Sequence, residues 1–420
     1  MLSWRWRIIF WLTFIPLGTA LFLILVVKGV INKVLVAPLL WVGRKIFFAK
    51  STERPIRLLC LAYMNDENAS ARHRVYKYAQ FINPATISFQ IIPPTGIAAF
   101  KRFFLRGRIR RYYVYFIIVF LRRFAAIWSS SRYDAVLLQR DIISEFFYDP
   151  PLFIFALRLL NKRIIYDVDD AMWIFPPHSI RGGSPTLNVL ARLRFFWNVR
   201  LSQNIIVSNE YLAEYVKKIN SSVVVIPTPV DTVNYPVRKH KTRKTIIIGW
   251  TGGPGNLVYL KLLKKPLARL ALKYPIKLRV ISSRTIKMNG VDVEFIPWDK
   301  ITEAENIAAF DIGIMPVYDN PYTRGKGGFK ILEYMAAGLP SVASPVGVNA
   351  QIIKDNENGF TAKDEKEWED KLSILIRDES LRHDMGCLAR EFVCAQYDYQ
   401  VWVPSFLSAI EKGCGKIVGE

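Results

Sequence analysis

The strongest constraint on this chain is a rhythm: short runs of almost wholly apolar residues alternate with longer amphipathic stretches. Arg57–Ala62, Ala135–Leu138, Arg163–Tyr166, Asn204–Val207 and Val223–Ile226 read as strands buried on both faces. Between the first two, Ser70–Ile82 places Val75, Tyr78, Ala79 and Ile82 on one side of a helix. Apolar strands separated by helices predict a parallel sheet covered on both faces. Pro227-Thr228-Pro229 and the basic stretch Arg238–Lys244 then interrupt the pattern, as a linker would. It resumes at Thr245–Gly249, Leu278–Ile281, Val293–Ile296, Ile312–Met315 and Pro340–Ala343. The expected fold is therefore α/β, with two doubly wound, Rossmann-like domains, 56–235 and 244–395, facing a cleft. A terminal helical segment, 396–420, is expected to pack back on the first domain. A chain of 420 residues has the length for two such cores. Ligands of open α/β sheets gather at the carboxyl ends of the strands, which here border the cleft.

Before this body, Ile8–Val27 carries no charged residue and is flanked by Arg5, Arg7 and Lys28. Roughly 20 apolar residues at about 1.5 Å each cross a hydrocarbon core, whereas a signal-peptide core is shorter. The expectation is a single transmembrane helix, with residues 1–50 as anchor and juxtamembrane segment. Val34–Gly43 is too short to cross and reads as interfacial. Lys28, Lys33, Arg44, Lys45 and Lys50 follow the span and place the body on the cytoplasmic side of the cell membrane. Four cysteines without zinc-ligand spacing read as reduced thiols, in keeping with that side.

The chain has 58 Lys+Arg against 35 Asp+Glu, a net +23, which calls for a polyanionic partner. Much of the excess lies in Lys101–Arg123, where Arg106, Arg108, Arg110 and Arg111 interleave with aromatic residues. Both nucleic acid and an anionic membrane surface fit that composition. Beside an anchor the membrane surface is the expected partner, and no nucleic acid is. Arg72 and Arg74, on either side of His73, are candidates for an acceptor phosphate.

Two segments carry chemistry. Arg324–Pro340 sets Gly325, Gly327 and Gly328 beside Arg324, Lys326 and Lys330 and continues to Glu333. Glycines let a phosphate approach backbone N–H groups, and the start of a helix favours negative charge. Lys326 and Lys330, one helical turn apart, are expected to point at a phosphate, and Glu333 at a ribose diol. Asp167, Asp169 and Asp170 follow a strand of the first domain, where acids face a cleft, hold Mg²⁺ or cap a helix.

The Arg324–Pro340 segment resembles the donor-binding helix of the family 4 (group 1) retaining glycosyltransferases of GT-B fold. "IRLLCLAYMND" with "SARHRVYKYAQFI", then "YDAVLLQRD", "KRIIYDVDDAMW", "VVVIPTPVD" and "IIIGWTGGPGN", follow in family order across roughly 56–412. The resemblance implies transfer of a sugar with retention from a nucleotide sugar, with no cofactor and no metal. It makes 56–235 the acceptor side and 244–395 the donor domain. It implies ribose contact by Glu333 and diphosphate contact by Lys326 and Lys330. Asp169 and Asp170 stand where relatives face the donor sugar. Gly252, Gly253 and Asn256 belong to the loop at the donor diphosphate. Two departures stand out. Gly325 occupies the place of the family's first acid, a contact then left to a neighbour such as Asp319. The loop Trp250–Asn256 lacks the usual cations, leaving Arg324, Lys326 and Lys330, with Arg284, to supply charge. The anchor and basic run imply a membrane-associated acceptor such as a lipid-linked glycan. A non-catalytic tethered scaffold and a sugar-nucleotide epimerase are the alternatives.

Overall fold

The structure is a computed structural model and describes residues 23–25, 27–31, 54–96, 109–143, 151–177, 179, 184–238 and 244–415, with only the backbone of 109–113. Twelve strands are present among these residues. The first six are β1 (Ile56–Leu61), β2 (Ile87–Ile92), β3 (Ala135–Gln139), β4 (Ile164–Val168), β5 (Asn204–Val207) and β6 (Val223–Val225). The second six are β7 (Ile246–Thr251), β8 (Ile276–Ser282), β9 (Val293–Pro297), β10 (Ile312–Met315), β11 (Ser341–Ala343) and β12 (Gly359–Thr361). They form two six-stranded sheets, ordered β2-β1-β3-β4-β5-β6 and β12-β11-β10-β7-β8-β9. Every pairing is parallel. The two-sheet α/β architecture is the one the apolar runs predict.

In each sheet the strand order reverses once, between β1 and β3 and between β7 and β10. Crossovers leave such a point in opposite directions, so a crevice opens at the carboxyl ends. Both crevices matter below.

The first sheet is covered on one face by α1 (69–81, with a wider π turn at Arg72–Tyr76) and by the terminal helix α13 (Tyr399–Gly413). Tyr78 stacks on Phe406 with ring centroids 3.9 Å apart, and Phe81 on Tyr399 at 4.6 Å. The other face is covered by α2 (Ile109–Ser129), α3 (Leu152–Leu160), α4 (Pro185–Leu201) and α5 (Glu210–Lys217). The second sheet is sandwiched between α6 (Lys264–Lys273) with α11 (Glu365–Arg377) on one side and α9 (Phe329–Ala336) with α12 (Glu379–Tyr397) on the other. Three short helices, α7 (Glu303–Ala308), α8 (Pro321–Arg324) and α10 (Asn349–Ile352), complete the order.

The expected N-terminal span lies mostly outside the described residues. Residues 23–25 and 27–31 are helical, and Leu25, inside the expected span, is buried in the core beneath α2 and α3. Among the described residues, one helix is long and apolar enough to cross a membrane, Val114–Arg132. That helix buries Phe116, Val119, Phe120 and Ile127 in the first domain's core, so half its circumference is spoken for.

Candidate active site

The segment after β10 is built to bring cations against the end of β7. Asn320 caps the single turn α8 through a capping box with Thr323. Gly325–Gly328 then crosses to α9, whose N-cap Gly328 has φ 67°, a left-handed conformation that glycine adopts without strain. A Cβ there would also lie 2.4 Å from Ile352 Cδ1. The stem of Lys330 lies on Gly252, where a Cβ would come within 2.7 Å of Lys330 Cε. Its ammonium sits 5.7 Å from the Trp250 ring centroid, and that of Lys326 sits 4.9 Å from Tyr322. Burial, and then the Lys326 charge, push the Lys330 ammonium down to about 8. Gly253 and Gly255 have open space where a Cβ would be. A half-buried ammonium pair beside an open glycine loop and a helix start can take up a diphosphate.

One turn further on, Glu333 is buried and accepts a hydrogen bond of 2.9 Å from Tyr235 Oη. Burial, then the neighbouring Glu303 carboxylate, raise its carboxyl to about 8. Glu303, on α7, is itself held from two sides. Arg72 of the first domain donates to it at 2.6 Å and Trp298 Nε1 at 2.6 Å. His73 lies against Phe329, with centroids 4.3 Å apart, at the start of α9. The π turn of α1 thus enters the cleft directly opposite the donor-side helix.

The facing wall comes from the switch point of the first sheet. Arg140 follows β3 with φ 57°, unusual for a residue with a Cβ and worth roughly 1 kcal/mol of strain or more. Its guanidinium donates to Asp169 and to Asp170, and lies 5.0 Å over Tyr63. Burial would raise the Asp169 carboxyl, but the Arg140 charge and hydrogen bond outweigh it and hold Asp169 below the usual range. Immediately after Asp170, Ala171 meets the donor segment. A Cβ at Gly325 would lie 2.9 Å from Ala171 Cβ and 3.1 Å from Ala171 N. Asn209 Nδ2 donates to the Gly325 carbonyl at 3.0 Å. The missing acid at 325 is therefore a steric necessity of this closed arrangement. The acidic pair Asp169 and Asp170 reaches the same place from the other domain.

Several expected contacts are corrected. Arg324 forks onto Asp319 at 2.6 and 2.9 Å on the exposed surface, so neither faces the glycine loop unpaired. Asp319 is thus unsuited to replace the acid at 325. Arg74 is buried and paired with Asp167, with further donation to Ile226 O and Thr228, so it is an interior strut and not an acceptor contact. Arg72 pairs with Glu303 through Nη2, while its Nη1 is enclosed without a hydrogen-bond partner. Asp167 points inward to Arg74, leaving Asp169 and Asp170 at the cleft. Lys326 precedes α9, so its proximity to Lys330 comes from the loop and not from a shared helical face. Arg106 and Arg108 lie outside the described residues, and of Arg110 and Arg111 only the helical backbone is described. Among the described residues no cluster of three or more His, Cys, Asp or Glu is placed to hold a metal.

Sequence reasoning passed over Arg140, Tyr235, Trp298 and Glu303. A signal existed for Arg140, as the residue between a buried strand and Asp141, but nothing in the sequence announces its left-handed backbone. Tyr235 and Glu303 are brought in by the fold alone.

Residues 250–378 match the family described as glycosyl transferases group 1. They include the Gly252 loop, Lys330 and Glu333. No curated protein sequence matches the chain. Solved structures share the two-domain fold over much of the chain. Sucrose-phosphate synthase from Thermosynechococcus elongatus superposes with a TM-score of 0.62 at 12% identity, covering 84% of this chain and 97% of that one. Anabaena HepE, solved with UDP and glucose, gives 0.60 at 11% identity over 85% and 99%. Staphylococcus aureus TarM gives 0.53 at 16% identity over 69% and 58%. The two-domain fold is thus the GT-B arrangement of known glycosyltransferases.

Proposed function

We propose that the chain is a glycosyltransferase that moves a sugar, with retention of configuration, from a nucleotide-sugar donor to a membrane-associated acceptor such as a lipid-linked glycan. The observation that carries this reading is the pairing on α9 of Lys330, laid over Gly252, with buried Glu333 one turn away. Lys330 and Lys326, with the N–H groups around Gly252 and Gly253, would hold the diphosphate, and Glu333 the ribose. Asp170, or Asp169 beside it, would contact the sugar in place of a side chain at 325. The acceptor hydroxyl oxygen bonds to the anomeric carbon as the carbon–oxygen bond to the diphosphate breaks, on the same face. The nucleoside diphosphate leaves and takes the hydroxyl proton. What the protein supplies is stabilisation of the charge growing on the leaving phosphate and alignment of both partners. The nucleotide sugar is a substrate, and the reading assigns no cofactor and no metal. It places the chain at the cell membrane by a single N-terminal span, with its catalytic body cytoplasmic.

UDP and glucose bound to HepE, and UDP bound to a TarM variant, make UDP-sugars the first donors to try. A panel of UDP-, GDP- and ADP-sugars should give hydrolysis or transfer with at least one member. Absence of both turnover and binding with every one of them would sink the enzyme reading.

A further inference from the structure

Most of the large apolar side chains that the described residues expose lie on one side of the first domain. On α2 they are Val114, Ile117 and Leu121, spaced by three and four residues, and Trp128 two turns on. On α4 they are Val189, Leu193 and Phe196, again one helical stripe. Leu152 and Phe155 of α3, which packs between α2 and α4, are exposed as well. The end of the N-terminal segment joins the same side. Lys28 lies 3.9 Å from the Trp128 ring centroid, and a Cβ on Gly29 would meet Leu159 at 2.4 Å. Its Leu23, Ile24, Val27, Val30 and Ile31 are exposed too.

The charge on these helices has one sign. None of α2, α3 and α4 contains an Asp or a Glu. Arg122, Arg192 and Arg200 stand exposed among the apolar residues. Arg158 on α3 is half-buried, and its Nη1 is enclosed without a hydrogen-bond partner. Arg123, by contrast, turns inward to the carbonyls of Ala62 and Ile92. Within the described part of the basic run, Arg122 belongs to this surface and Arg123 to the interior. Apolar stripes ringed by arginines, with no carboxylate to repel a headgroup, match the interface of an anionic bilayer. A protein partner would have to present an acid-rich yet greasy surface to do as well.

We infer that the outer face of α2, α3 and α4 docks on an anionic lipid bilayer, and that a membrane-bound acceptor enters the cleft past α4. The opposite side of α4 carries buried Arg194, paired with Asp141 at 3.0 Å and lining a crevice with Asp170 and Phe175. A helix diameter, about 10 Å, is all that separates lipid from cleft there. The docking face stands by itself, whereas the acceptor route rests on the transferase reading.

The test uses the full chain in vesicles of phosphatidylglycerol and phosphatidylcholine, with p-benzoylphenylalanine replacing Phe155, Phe196 or, as a control on the second domain, Leu272. Irradiation should give lipid adducts at 155 and 196 at least tenfold above 272. The double change Arg192→Glu with Arg200→Glu should cut the yield at 196 severalfold, while UDP affinity, measured on the same samples, stays unchanged and reports an intact fold. Equal labelling at 272, covalent protein dimers, or adducts mapping to residues 1–22 would each overturn the docking face. Lipid adducts without UDP binding would leave the face standing and overturn the transferase reading instead.

Discussion

Lys330 and Glu333 occupy one turn of α9, and burial drives both toward neutrality, each to about 8, from opposite directions. For Lys330 a bound diphosphate reverses this, because phosphate oxygens favour the ammonium. Above about pH 8 the free protein has lost that proton and must regain it on binding. UDP affinity is therefore expected to fall as pH rises through about 8. Calorimetry in two buffers of different ionisation heat should show proton uptake, and Lys330→Arg should abolish it. An uptake unchanged in Lys330→Arg would remove Lys330 from the phosphate. For Glu333 the consequence is on stability. The folded protein holds a proton there from pH 4.5 up to about 8, where the unfolded chain does not. Stability contributed by that proton is full below this window and lost as pH rises through it. Urea denaturation at stepped pH should show the decline, and Glu333→Gln should flatten it. Arg140 makes a different prediction. Its fork onto two carboxylates needs the planar guanidinium, which lysine cannot imitate. Arg140→Lys should lower kcat by about a hundredfold, the scale of a misplaced reacting group, and leave UDP affinity unchanged. Equal losses in UDP binding and kcat would mark Arg140 as merely structural.

At the scale of elements, strands such as β3 and β7 were legible because every residue in them is buried and most are apolar. β2 and β12 were not. β2 is an edge strand whose Ser88 and Gln90 break the apolar run, and β12 is only Gly359–Thr361. The donor segment was legible in its second half, where Lys330 and Glu333 keep helical spacing. Its first half depends on Ala171 and Asn209, more than a hundred residues away in sequence, and no local pattern reports that contact. Likewise Arg123 reads as one more cation of a basic run until the turn of α2 is known. The terminal helix α13 shows how far a distant element contributes to the first core. Phe406 is buried and stacked on Tyr78. Phe406→Ala should cost about 3–5 kcal/mol and bring the first domain's urea transition well below that of the second. A single unshifted transition would mean that α13 does not hold that domain together.

For the whole molecule, the decisive question is what keeps the two domains closed. Lys300 and Asp66 pair across the cleft, but with side chains 45% and 30% exposed they contribute at most about 1 kcal/mol. Arg72 and Glu303 pair at 2.6 Å with side chains 6% and 12% exposed, so water screens them little. Removing one partner of a buried pair leaves a charge uncompensated, at a cost of about 3–5 kcal/mol. The strain is sharper here because Glu303 also lies beside the buried Glu333 carboxyl, and Arg72 is the cation nearest to both. Opening the cleft lets water reach Glu303 and relieves that cost. Arg72→Met should therefore separate the domains, with a larger radius of gyration by small-angle X-ray scattering and a more exposed Trp298, whose ring lies 5.4 Å from the guanidinium. Lys300→Met should leave the radius unchanged. Circular dichroism of both variants should match the parent, since neither residue lies in a domain core. A nucleotide bound against Glu333 should draw the Arg72→Met protein part of the way back. Were the two variants to scatter alike, closure would rest on the Gly325–Ala171 contact and not on the Arg72–Glu303 pair.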